Sequence, residues 1–188
     1  MATADRPSRT PKKYTMPRVS LLDEQIDPTL AVLAQRIRDQ RGGKLLELYQ
    51  VLLHSPKVAE AWLGFFTVLR QQCELDARWR ELAILHVAVL NDARYEFEQH
   101  VPFALAAGVT QAQIDTLADW RSADCHGVVE RAVLAYTEAM TRSIRVPDEV
   151  FAEVRRYFPS TQIVELTATI GGYNLVSRFL EALQIGHG

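Results

Sequence analysis

Thiols are scarce in this chain. Cys73 and Cys125 are its two cysteines, and they stand far apart. That spacing gives neither a Cys-x-x-Cys redox pair nor a zinc-ligand set. Two reduced core thiols are the expectation, with one disulfide as the alternative. Long apolar runs are missing as well. None approaches the roughly 18 residues needed to span a bilayer, so no membrane partner is expected. Charge of one sign is also lacking. With 21 Lys and Arg against 23 Asp and Glu, the net charge is -2, and nothing in it points to nucleic acid. Period-two strand patterning is absent throughout. What remains is 188 residues that are 48% hydrophobic, enough to bury a core in one domain, and a cytoplasmic protein is expected.

The first eighteen residues differ from the rest. Arg6, Arg9, Lys12, Lys13 and Arg18 face only Asp5, with Pro7, Pro11 and Pro17 between them. The stretch lacks the apolar segment of a secretory signal, and its prolines oppose the amphipathic helix of a transit peptide. Residues 1–18 are therefore expected to be a disordered basic tail or an arm on a neighbouring subunit, and residues 19–188 a helical domain.

That domain reads as helix after helix. Pro28 to about Gln40 is periodic and stops at Gly42-Gly43. Lys44 to His54 is a short helix. Ser55-Pro56 supplies an N-cap and a first-turn proline for a helix to about Cys73. Asp76 caps the next, to about Asn91. Another follows and ends at Gly108. Thr110 and Gln113 form a capping-box pattern for a helix to Asp119. Val128 to Arg142, Pro147 to Tyr157, and Ser160 to about Ile185 complete the series. The class is all-α, a single-domain helical bundle.

Glu96 and His100 are the most informative residues. At about 100° per residue they share a stripe with Ala93, Phe97, Phe103, Ala104 and Ala107, while Arg94, Tyr95, Glu98, Gln99 and Pro102 fall on the other side. A carboxylate and an imidazole among small and aromatic residues are desolvated. Desolvation raises the one pKa and lowers the other, which suits proton transfer near neutral pH. Pro102 lies inside this helix, and Gly171-Gly172 interrupts the last one, marking close approach of a backbone or a ligand.

The succession Arg80-Glu81-Leu82-Ala83, then Tyr95-Glu96 and His100, Ala107-Gly108-Val109, and later Glu165-Leu166-Thr167 with Gly171-Gly172-Tyr173-Asn174, resembles the carboxymuconolactone decarboxylase family, which includes alkyl hydroperoxidase D. The resemblance covers roughly residues 17–185. It implies an all-α fold of the alkyl hydroperoxidase D type, assembly as a trimer or hexamer, and neither cofactor nor metal. Hydroperoxidases of this pattern carry Glu, then Cys-x-x-Cys-x-x-x-His. Glu81 and His100 match the outer positions here, while Ala93 and Glu96 replace the two cysteines. Peroxide reduction by thiol–disulfide exchange therefore has no nucleophile at this address.

The resemblance directs attention to acid–base chemistry on a small-molecule substrate. Decarboxylation of an unsaturated lactone or keto acid leaves a dienolate to be stabilised and reprotonated. His100 is expected as the acid–base group nearest the substrate, Glu96 as its proton partner, and Glu81 as the group that orients His100. Arg80 is expected to anchor a carboxylate, and Tyr173 to line the pocket and donate a hydrogen bond. Tyr95 is expected to pack elsewhere, and Asp76 to be the better helical partner of Arg80. The same residues would serve an isomerase or a lactone hydrolase. The other readings are a structural Glu96–His100 ion pair in a non-catalytic scaffold, a thiol peroxidase using Cys73 or Cys125, and a metal held by Glu81, Glu96 and His100. No second Glu/His pair repeats as it does in di-iron bundles, so no metal is expected.

Overall fold

The computed structural model describes residues 16–186. Among them are nine α-helices and no strand. A 3-10 turn, Pro28–Leu30, leads into α1 (Ala31–Gln40), and α2 (Glu47–Leu52) and α3 (Pro56–Gln71) follow. Next come α4 (Ala77–Asn91), α5 (Arg94–Ala106), α6 (Gln111–Asp115), α7 (Val128–Ser143), α8 (Asp148–Arg155) and α9 (Ser160–Leu183). The expected tail lies outside the described residues over 1–15. Arg18 is held, its backbone N–H donating to the Leu183 carbonyl and its guanidinium to that of Ala182.

α4 is the central helix. The Asp76 carboxylate caps it by accepting from the Arg78 backbone N–H at 2.8 Å. Every residue from Glu81 to Ala88 is buried, because α5, α7 and α9 surround it. A helix covered on these sides has no room for a polar face, and in this run only Glu81 and His86 are polar. The Glu165 carboxylate of α9 accepts from the backbone N–H groups of Glu74 and Leu75, fastening the loop that enters α4.

α9 is a single 24-residue helix running beside α4, α3 and α5. Its two glycines differ. A Cβ on Gly172 would stand 3.1 Å from Phe65 and 3.3 Å from Phe66, whereas one on Gly171 would meet nothing within 4 Å. Gly172 therefore admits the aromatic face of α3. α5 ends at Ala106, just before Gly108 with φ +88°, and the Thr110–Gln113 capping box forms as expected.

Several boundaries differ from the sequence pattern. α2 begins at Glu47 rather than Lys44, and the Ser55 side chain makes no cap although Pro56 opens α3. The helix expected to reach Asp119 stops at Asp115 and continues as a 3-10 turn, Leu117–Asp119. There the Thr116 hydroxyl bonds back to the Ala112 carbonyl at 2.8 Å, a local bond that competes with helix continuation. α8 stops at Arg155 rather than Tyr157. Ser160 begins α9 without capping it, because its hydroxyl accepts from Arg155 instead. No helix among the described residues is long and apolar enough to cross a membrane.

Candidate active site

A cavity of about 570 Å³ opens between the Gln40–Tyr49 segment, α3, α5 and α9. Trp62, Phe66 and Arg70 reach it from one face of α3, at the four-residue spacing that stacks side chains along a helix. Glu96 and His100 reach it from α5, and Tyr173 from α9.

Glu81 comes to this place from α4, beneath the cavity wall. Its Oε2 lies 2.7 Å from His100 Nδ1, and both side chains are buried. Burial raises the Glu81 carboxyl. The hydrogen bond from His100 and the positive surroundings of Arg80 and Arg70 outweigh that effect and hold it below its ordinary value. His100 moves down from its ordinary value. Burial is the main cause, and Arg70 and Arg80 push the same way against the pull of Glu81. The pair thus rests as a carboxylate beside a neutral imidazole. Nδ1–H donates to Glu81, and Nε2 keeps an open lone pair.

Glu96 has a different environment. Burial pushes its carboxyl well above the ordinary value and the nearby Glu181 adds to the rise, while a hydrogen bond from the Ser177 hydroxyl at 2.9 Å opposes it. Glu96 Oε1 is buried with no hydrogen-bond partner. One turn apart on α5, a carboxyl raised well above its ordinary value and an imidazole lowered from its own therefore face a shared void. Environments that drive two titratable groups apart in this way assign one as proton donor and the other as acceptor.

Tyr173 packs edge-on to the His100 ring, with centroids 4.9 Å apart, and burial raises its phenol far above the ordinary value. It stays protonated and able to donate. Arg80 does not line the cavity. Its Nε lies 3.2 Å from Glu81 Oε1, a place that does not suit the carboxylate-anchoring role expected of it. Arg80 thus pairs with its sequence neighbour, while Asp76 accepts from the Arg78 backbone N–H. The alternative reading, a structural Glu96–His100 ion pair, is not what the two side chains make: His100 bonds to Glu81 and Glu96 to Ser177.

Other residues at the cavity were not singled out from the sequence. Arg70 and Arg41 line it, as does Tyr95, which the helical plot had placed on the far side of α5. The cavity reaches around that flank because the Gln40–Tyr49 segment, and not solvent, covers it. The Trp62–Phe66–Arg70 spacing could have revealed Arg70. His86 is buried in α4 against Trp120, with burial pushing it down to about 4, and it is not at the cavity. Cys73 and Cys125 are free thiols away from the cavity. Among the described residues no group of three or more His, Cys, Asp or Glu is placed to hold a metal ion.

Residues 56–139, which carry Glu81, Glu96 and His100, match the Carboxymuconolactone decarboxylase family. An uncharacterized protein of Bacillus subtilis strain 168, YdfG, is 30% identical over 115 residues, covering 60% of this chain and 78% of that protein. Solved structures of the same shape include the debrominase Bmp8, as a cysteine-to-alanine variant in complex with 2,3,4-tribromopyrrole. Its TM-score is 0.75 at 19% identity, over 90% of this chain and 91% of that one. An alkylhydroperoxidase AhpD core from Ralstonia eutropha JMP134, an uncharacterized peroxidase-related protein, gives a TM-score of 0.75 at 15% identity over 92% of each chain. At these identities the structural likeness establishes the fold, which is of the AhpD-like helical type.

Proposed function

Because the chain belongs to the carboxymuconolactone decarboxylase family, we propose that it is a cofactor-independent acid–base enzyme that decarboxylates a small unsaturated lactone or keto acid through a dienolate. The observation that carries this reading is that Glu96 and a Glu81-bound His100 stand one turn apart at the wall of one cavity, where burial favours the neutral form of each. The bond to the departing carboxylate breaks, carbon dioxide leaves, and its electron pair spreads to the carbonyl oxygen. The Tyr173 hydroxyl donates to that oxygen. The Glu96 carboxyl gives its proton to carbon, and a water held by the His100 Nε2 lone pair reprotonates Glu96.

His100 holds the complementary position. With Nδ1–H given to Glu81, its Nε2 is an acceptor. That acceptor favours a second reading, an isomerisation in which His100 removes a carbon-bound proton and Glu96 returns one elsewhere on the same enolate. The test is the purified protein with carboxymuconolactone in deuterated buffer, followed by ultraviolet absorbance and NMR. Loss of the carboxylate with deuterium at carbon supports decarboxylation. Exchange without loss of carbon dioxide transfers the site to the isomerase reading. Neither change, across related lactones and keto acids, overturns both.

A further inference from the structure

Three residues at four-residue spacing on α9 bear on Glu96. Tyr173 lines the cavity beside His100, Ser177 bonds Glu96, and the charge of Glu181 raises the Glu96 carboxyl. Residues four apart stack along a helix, so the three form one column. Ser177 stands in its middle. It is fully buried and is not part of the cavity wall. Its Oγ lies 2.9 Å from Glu96 Oε2 and 3.0 Å from the Tyr173 carbonyl oxygen. A hydroxyl has one hydrogen, so it serves one of these acceptors at a time. A serine inside a helix bonds readily to the carbonyl one turn back, and here Glu96 competes for the same hydrogen. The other oxygen of that carboxyl, Oε1, is buried with no hydrogen-bond partner.

We propose that Ser177 is a positioning residue that decides which oxygen of Glu96 carries the transferable proton. The inference rests on the acid role given to Glu96 above. With the Ser177 hydrogen turned to Oε2, that oxygen is an acceptor and the acid proton sits on Oε1. No hydrogen bond holds a proton there, so it is available for transfer. With the hydrogen turned to the Tyr173 carbonyl, Ser177 Oγ becomes an acceptor, and Oε2 carries the proton and donates it into the protein. The first arrangement delivers the proton and the second withholds it. In the transfer the Oε1–H bond breaks, a C–H bond forms at the enolate carbon, and the O–H electron pair stays on the carboxylate. The Ser177 hydrogen remains on Oγ and donates to Oε2, a bond that strengthens once that oxygen shares a negative charge. The titratable and charged groups around Glu96 are His100 one turn on along α5, Tyr173 and Glu181 on α9, and Arg41 and Tyr49 across the cavity. Glu181 acts on Glu96 through its charge, and Ser177 through one hydrogen.

Carbon NMR of protein carrying isotope-labelled glutamate follows the Glu96 carboxyl whether or not turnover has been found, with Glu96→Gln identifying its signal. Ser177→Ala removes the hydroxyl and suits a helix. A hydrogen bond to the charged form holds a carboxyl down, so its loss should move the Glu96 titration to higher pH than in the wild type. Ser177→Thr restores a hydroxyl and should bring the titration back towards the wild-type position. With an active substrate in hand, Ser177→Ala should lower kcat about tenfold to a hundredfold with KM nearly unchanged, because the carboxylate left by proton transfer loses its donor. The falling limb of the pH profile should move up while the rising limb set by His100 stays in place. A purely structural serine would lower the melting temperature and leave the Glu96 signal and that limb where they are, a result that overturns the assignment. Wild-type kcat in Ser177→Ala overturns it as well. A wild-type Glu96 that titrates at its ordinary value overturns the acid reading of the site, and the role of Ser177 falls with it. A Glu96 signal that responds to Ser177→Ala in a protein without turnover counts against the decarboxylase reading and upholds the control of the proton by Ser177.

Discussion

Glu81 Oε2 and His100 Nδ1 stand 2.7 Å apart across the α4–α5 contact, nineteen residues apart in the chain. One bond fixes both the tautomer and the direction of the imidazole, leaving Nε2 for chemistry. His100→Ala should lower turnover at least about a hundredfold in a folded protein. Glu81→Gln should lower it about ten- to a hundredfold, through a misoriented ring. Retained turnover in a folded His100→Ala variant removes His100 from the mechanism.

The two displaced carboxyl and imidazole groups set a pH profile. His100 is depressed below its ordinary 6.5, so kcat/KM should rise with pH on a limb lying below 6.5 as the imidazole loses its proton. Glu96 is raised above 4.5, so activity should fall as pH climbs through that elevated value. Glu81→Gln removes the pull that favours the charged imidazole and should move the rising limb to still lower pH.

Folding stability carries the same signature. A carboxyl raised in the folded state contributes stability that is complete below its ordinary value and is lost as pH rises through the folded value. Glu96→Gln keeps the shape and cannot ionise. Its melting temperature should overtake that of the wild type with increasing pH above 4.5, the gap widening until wild-type Glu96 is ionised. Parallel melting curves across that range would show that Glu96 ionises normally.

The paired glycines of α9 should respond oppositely to alanine. Gly171→Ala enters open space and should stabilise by up to about 1 kcal/mol through helix propensity. Gly172→Ala pushes against Phe65, Phe66 and Leu69 and should cost about 1–3 kcal/mol. Thermal unfolding of the two variants side by side reads the difference.

Cys73 has its thiol raised by burial and by Glu165, and Cys125 contacts Thr116 at the surface, so neither meets the cavity. Serine at either position should leave turnover within about twofold, since no thiolate is required. A large loss in one of them would reopen thiol chemistry.

Legibility followed the range of the forces involved. Local signals read well: the Asp76 cap, the Thr110–Gln113 box and the glycine stop at Gly108 each depend on residues within one turn. Periodicity placed Glu96 and His100 on a buried stripe. It could not say which helix would meet that stripe, so the bond from Ser177, eighty-one residues away, and the burial of Tyr95's flank were beyond it. For Arg80, a substrate anchor and a salt bridge to a neighbouring acid look alike in one dimension, and the structure shows the bridge to Glu81. Arg70 escaped notice because lining a cavity is a property of three-dimensional surroundings.

The cavity is assembled from two kinds of sequence. Glu96, His100 and Arg70, with Glu81 behind them, fall within the family-matched residues 56–139, whereas Arg41, Lys44, Leu46, Leu48 and Tyr49 precede that stretch. On the proposed reading, Glu81, Glu96 and His100 are housed in the shared portion, while Tyr173 and much of the contour that a ligand would meet lie outside it. If the proposed roles hold, such a division would let a lineage change what the cavity accepts by rewriting ten residues of a loop and short helix while Glu96 and His100 stay where they are. Grafting residues 40–49 between relatives would exchange preference without exchanging reaction.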